Sequence, residues 1–121
     1  MQELQQMTEA ESRLAELIWT NEPMASSALV QLAAQHFGWK KSTTYTILKH
    51  LTEKALFQNQ GGTVTSLISR EGYDTARSRS FVRQAFGGSL PRFLAAFTGG
   101  RALTAQEAEE LKQMIDTYRE V

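Results

Sequence analysis

Residues 39 to 69 read WKKSTTYTILKHLTEKALFQNQGGTVTSLIS, and within them the chain changes from a helical period to a strand period. Thr44, Ile47, Leu48 and Leu51 recur at i, i+3, i+4 and i+7, which is one stripe of an α-helix, with Thr44 its weakest member. Ser42 is the expected N-cap and the helix is expected to run to Lys54. At about 100° per residue, Ser42, Tyr45, Thr46, Lys49, His50 and Glu53 fall on the remaining arc, which is polar and mostly uncharged or basic. From Leu56 onward, LFQNQ, the pair Gly61-Gly62 and TVTSLIS read as two short strands joined by a tight turn.

Upstream, Thr8-Glu9-Ala10-Glu11 has capping-box form, and Leu14, Leu17 and Ile18 follow on one stripe, so a first helix starts at about Thr8. Asn21-Glu22-Pro23 ends it near Thr20, and Met24-Ala25 is a short extended link. Ser26 or Ser27 is expected to cap a second helix that carries Leu29, Leu32, Ala33 and Phe37 and leaves at Gly38. Three helices followed by a hairpin within about 70 residues describe a winged helix-turn-helix, in which the third helix enters a DNA major groove beside the hairpin.

Downstream, three more helices are expected at roughly 71 to 86, 89 to 98 and 104 to 120, separated by Gly87-Gly88 and Gly99-Gly100. Thr104 to Glu107 repeats the capping box, and Leu111, Met114, Ile115 and Tyr118 give the last helix an apolar stripe. With Phe81, Phe86, Leu90, Phe93, Leu94, Phe97 and Leu103, the segment holds more large apolar groups than its length can cover alone. A second copy of the chain is the expected cover. The expected architecture is mainly α, with a winged-helix DNA-binding domain and two-stranded wing in residues 1 to 70 and a helical dimerisation arm in residues 71 to 121.

Composition narrows the function. The 121 residues and 13.6 kDa suit one compact domain with a short appendage. With no Cys, disulfides, thiolate nucleophiles and thiolate metal sites are excluded. The formal charge of zero hides a segregation: residues 1 to 39 carry −4, residues 40 to 92 carry +6 and residues 93 to 121 carry −2. A basic middle provides a local field for an anionic partner. His36 and His50 lack a second ligand at a metal-binding spacing, and no nucleophile elbow, phosphate loop or dinucleotide fingerprint occurs, so neither metal, cofactor nor catalysis is expected. The opening MQELQQMTEAESRL has no basic stretch followed by an apolar core, and no run approaches the roughly 18 apolar residues of a membrane span, so a cytoplasmic chain without a membrane is expected.

Groove reading needs short polar side chains for base edges and cations for phosphates. Thr43 and Thr46 are the base-edge candidates, Lys40, Lys41 and Lys49 the phosphate candidates with Lys54 as a further one, and Ser42, Tyr45 and His50 complete the DNA-binding set. Arg70, Arg77, Arg79 and Arg83 read either as a solvated helix face or as further phosphate contacts. The alternative is a winged-helix module whose third helix packs on another protein.

Trp39 to Lys54, then Gly87-Gly88-Ser89-Leu90 and Leu103 to Leu111, resemble the penicillinase-repressor family of bacterial transcriptional repressors over roughly residues 8 to 118. The resemblance implies a homodimer that binds an inverted repeat in promoter DNA and blocks transcription. Where the family commonly has Val, Arg and Gly, this chain has Thr44, His50 and Ala55. The Arg-to-His difference makes one expected phosphate contact depend on pH. Members answering β-lactams are cut in the tail between Asn and Phe by a regulatory protease, and the matching pair here is Ala96-Phe97. The copper-responsive branch carries C-terminal cysteines that this chain lacks.

Overall fold

The computed structural model describes residues 5 to 120; residues 1 to 4 and 121, which the expected domain limits take in, lie outside the described residues. The elements are α1 (Glu9–Asn21), β1 (Met24–Ala25), α2 (Ser26–Phe37), α3 (Lys41–Glu53), β2 (Phe57–Gln60), β3 (Thr63–Ser66), α4 (Arg70–Phe86), α5 (Leu90–Thr98) and α6 (Ala105–Tyr118). They form two compact units, one through Ser80 and one from Phe81, so the division falls inside α4.

In the first unit, α1 starts as its sequence dictates. Thr8 Oγ1 accepts from the Glu11 amide at 3.2 Å and Glu11 Oε1 accepts from the Thr8 amide at 2.9 Å, closing the capping box. The next two helices depart from expectation. The N-cap of α2 is Ala25 and that of α3 is Lys40, and neither makes a side-chain cap bond. Ser26 is instead the first residue of α2, and Ser42 lies inside the first turn of α3. The reason is tertiary: Met24 and Ala25 pair with Val64 and Thr63, and the Ser26 amide donates to Gly62 O at 2.8 Å, so the sheet fixes where α2 begins.

The wing is the two-stranded hairpin of β2 and β3, and that pairing adds β1 beside it. The sheet has three antiparallel strands in the order β1-β3-β2. Gly61 and Gly62, at φ of 59° and 87°, make the two-residue turn between Gln60 and Thr63, a conformation open to glycine at both positions.

The core places Leu14, Ala15 and Ile18 of α1 against Leu29 and Ala33 of α2 and Thr44, Leu48 and Leu51 of α3, with Leu56, Phe57, Val64 and Tyr73 closing it. Each fully buried Leu, Ile or Phe contributes about 1.5–3 kcal/mol through removal of apolar area from water. Thr44 tolerates complete burial because its hydroxyl donates to Lys40 O at 3.2 Å. Trp19 lies 5.3 Å from Phe57 and 6.1 Å from Tyr73 between ring centroids, and its indole N–H donates to Ile68 O at 2.9 Å. Glu22 then holds β3 to the end of α1, accepting from the Ser66 amide and hydroxyl, both at 2.8 Å.

The second unit is different in kind. Ser89 and Thr104 cap α5 and α6, yet no residue of either helix is buried. Phe81, Phe86, Phe93 and Phe97 form an aromatic row with neighbouring centroids 5.6 to 6.1 Å apart. No helix among the described residues is long and apolar enough to cross a membrane.

The exit of α3 stores strain. The amides of Ala55 and Leu56 donate to Thr52 O and Leu51 O, the two bonds of a Schellman motif, and Leu56 packs in the core with Leu51. The motif needs a left-handed residue at position 55, and Ala55 supplies it at φ 59°. Relief of the Cβ clash, about 1–2 kcal/mol, exceeds the entropy that glycine adds to the unfolded chain, about 0.4–1 kcal/mol. Ala55→Gly is therefore expected to raise stability by about 0.5–1 kcal/mol in urea unfolding. An unchanged or lower midpoint would contradict the strain.

Candidate nucleic-acid interface

Burying Thr44, Leu48 and Leu51 of α3 under α1 and α2 turns the opposite side of the helix outward. Lys40, Lys41, Ser42, Thr43, Thr46, Lys49 and His50 are exposed, and Tyr45 is half-buried. Thr46 Oγ1 donates to Ser42 O at 2.9 Å, which commits its proton to the helix and leaves its oxygen as an outward acceptor. Lys49 makes an exposed pair with Glu53, Nζ to Oε1 3.9 Å, too solvated and too long to hold the ammonium in place. Tyr45 packs partly on the core, and its hydroxyl stands 3.4 Å from Ser26 Oγ, so its ring spans from α3 to the start of α2.

Two residues at the other end of α3 meet a carboxylate. Glu11 is buried, and its Oε1 takes a hydrogen bond from Lys54 Nζ at 2.5 Å while its Oε2 lies 3.7 Å from His50 Nδ1. Lys54 also donates to Gln6 O at 2.8 Å. Its ammonium is thus occupied in tying α3 to α1, and the structure does not place it among the outward cations. Burial pushes the Glu11 carboxyl up, but hydrogen bonds from Lys54 and the Thr8 backbone, with the charges of Lys54 and His50, outweigh it and hold the group below its ordinary 4.5.

The arginines divide. Arg70 grips Glu16 with two bonds, 3.0 and 2.6 Å, and lies over the Trp19 ring at 5.7 Å. Arg77 lies 3.5 Å from Asp74 and over Tyr73 at 5.6 Å, while Arg79 and Arg83 are exposed.

Beside α3, the residues Tyr45, Lys49 and Thr52 face Gln58 and Asn59 of β2 across a groove of about 490 Å³. The sequence places the wing beside the duplex without naming its contact residues; the fold adds Gln58 and Asn59 to the same surface. Their sequence signal is the uncharged amide run Gln58-Asn59-Gln60 just before the glycine turn. Among the described residues, no group of three or more His, Asp or Glu could hold a metal ion.

In the second unit most of the residues expected to dimerise lie on α5 and α6, with Phe81 and Phe86 on α4 and Leu103 between α5 and α6. Leu90, Leu94, Leu111, Met114, Ile115 and Tyr118 line an apolar groove, Leu94, Phe97, Leu103, Leu111 and Met114 a second, and Phe97 and Tyr118 are 73% and 79% exposed. Phe86 and Phe93 are half-buried and Phe81 is exposed.

Three helices, a hairpin and an outward basic and polar third helix define a winged-helix DNA-binding protein. The sequence profile described as Penicillinase repressor matches residues 7–117, and the chain belongs to that family. It is similar to the "Penicillinase repressor" of Bacillus licheniformis, 24% identical over 123 residues that cover 98% of this chain and 96% of the relative. The solution structure of the DNA-binding domain of the repressor BlaI shares the fold, with a TM-score of 0.51 and 21% identity over 60% of this chain and 94% of that one. The family makes the chain a DNA-binding transcriptional repressor and not an enzyme.

The Glu11 contacts carry a pH dependence of stability. A carboxyl held below its ordinary value stabilises the fold fully above about pH 4.5 and loses that contribution as pH falls through its folded-state value. Glu11→Gln keeps the capping box but removes the charge. It is expected to cost about 1–2 kcal/mol at pH 7, and the gap to the unmodified protein should narrow progressively as pH falls below 4.5 in urea titrations. A gap that keeps its size as the pH falls would remove the charge from the explanation.

Proposed function

We propose that this chain is a homodimeric repressor, active in the cytoplasm, that binds a pseudopalindromic promoter operator through α3 and the wing and dimerises through residues 71 to 121. The observation that carries the reading is the exposed face of α3, where Lys40, Lys41 and Lys49 flank Thr43 and Thr46. The lysines neutralise phosphates and set the register on the duplex, while the threonines meet base edges. Thr46, its proton given to Ser42 O, acts as an acceptor toward an adenine or cytosine amino group. Ser42 and Tyr45 extend the contact toward α2, and His50 adds to it at the far end of the helix.

One such face reads one half-site. Two copies joined through the apolar surfaces of α5 and α6 read two half-sites about 34–36 Å apart, and the link converts the second contact into an intramolecular event. The support for a second copy is the energetic cost of leaving Leu90, Phe97, Met114, Ile115 and Tyr118 in water. A protease cutting the arm, with Ala96-Phe97 as the corresponding pair, would part the two binders and end repression.

Selection from a random duplex pool followed by titration at several salt concentrations tests the reading. An enriched inverted repeat with affinity that falls steeply with salt is the expected result. Binding without salt dependence, or none at all, would favour a protein-interaction module. On the enriched sequence, Lys49→Ala should weaken all duplexes and lower the salt slope by about one per protomer, whereas Thr46→Ala should relax base preference at constant slope. Ile115→Glu should give a monomer by analytical ultracentrifugation at micromolar concentration; a dimer surviving that change would place the interface elsewhere.

A further inference from the structure

We infer that the wing reads DNA without charge, and that Asn59 and Gln60 are specificity-determining residues for the minor groove flanking the base pairs under α3. The inference rests on the reading of α3 as the DNA-facing helix. From Ala55 to Ser69 the chain holds no ionisable side chain, in the middle of the segment that carries the positive charge of the molecule. A hairpin built to neutralise phosphates and release their counterions would carry Lys or Arg. What it presents instead is amide and hydroxyl chemistry on a thin tip: Asn59, Gln60 and Thr63 are exposed, and Gly61 and Gly62 add no side chain between them.

The amides are not equivalent. Gln58 Nε2 donates to Thr65 Oγ1 at 3.0 Å, so this side chain is spent within the sheet. Asn59 lines the groove it shares with Lys49 and Thr52, which makes the wing surface continuous with that of α3. Gln60 follows at the turn, paired with Thr63 through the backbone. Open space surrounds both turn glycines: beyond their own chain neighbours, nothing lies within 4 Å of where a side chain would begin. A protruding tip without side chains at its turn can approach a minor groove, and Asn and Gln are the uncharged side chains that can both donate to the A N3 and T O2 acceptors there and accept from the G amino group.

A charge-free reader changes affinity and base preference but releases no counterions. The salt dependence of binding is then set by the lysines of α3, and the wing is silent in it. On the sequence enriched by selection, Asn59→Ala and Gln60→Ala are each expected to lower affinity about fivefold. Each should alter base preference only at the positions flanking the α3 contacts and leave the salt slope unchanged. Gln60→Lys, which puts a cation where an amide stands, should steepen that slope by about 0.9 per protomer. The alanine variants are compared by circular dichroism, because loss of the hairpin would lower affinity for another reason. Should Gln60→Lys leave the slope unaltered, the wing does not approach the duplex. Should a folded Asn59→Ala or Gln60→Ala keep full affinity and full flanking preference, the amides read nothing. Failure of the unmodified protein to bind any duplex is a different outcome, and it would overturn the role of α3 itself.

Discussion

The burial of one side of α3 is the constraint on which the rest of the DNA-binding unit depends. Leu48 and Leu51 close against Leu14 and Ile18 of α1 and Leu29 of α2, and Thr44 joins them only because its hydroxyl finds the Lys40 carbonyl. A helix of 13 residues has two sides, and once the apolar one is committed the polar one has nowhere to go but outward. The orientation of Ser42, Thr46 and Lys49 is therefore a consequence of core packing rather than of any contact those side chains make.

The exit of that helix is pinned by two devices that differ in chemistry. At its exit a Schellman turn forces Ala55 into left-handed backbone so that Leu56 can return to the core. Alongside, the buried carboxylate of Glu11 serves three groups at once: the Thr8 amide at the start of α1, the Lys54 ammonium and, at longer range, the His50 ring. One residue thus completes the cap of α1 and anchors the end of α3. A buried carboxylate is costly unless it is paired and hydrogen-bonded, and here the partners satisfy it fully enough to hold it in its charged form.

The two units follow opposite rules of burial. The first encloses Phe57, Tyr73, Leu14 and Ile18 almost completely, whereas no residue of α5 or α6 is fully buried. Good capping at Ser89, Thr104 and Glu107 shows that the helices of the second unit are locally well specified. Locally well-specified helices that leave Leu90, Phe97, Ile115 and Tyr118 exposed are what supports the proposed second copy.

Element types and the outward face of α3 were legible in the sequence because they rest on local physics. A 3.6-residue period, the Thr8 and Thr104 capping boxes and a glycine pair at a turn act over a few residues, and each can be read where it stands. Other features exist only once distant segments meet. β1 is a strand because Val64 and Thr63 lie beside it, and Ser26 is displaced from its cap by a bond to Gly62. Lys54 looks like any basic residue at the end of a helix until Glu11, 43 positions away, takes its ammonium out of the surface. Asn59 joins the surface of α3 only through the groove the sheet creates. The sequence by itself determined which stretches are helix and strand and which side of each is apolar; the tertiary structure decided which polar groups are spent inside the fold and which remain for a partner, because that choice is made by hydrogen bonds and ion pairs between residues far apart in the chain.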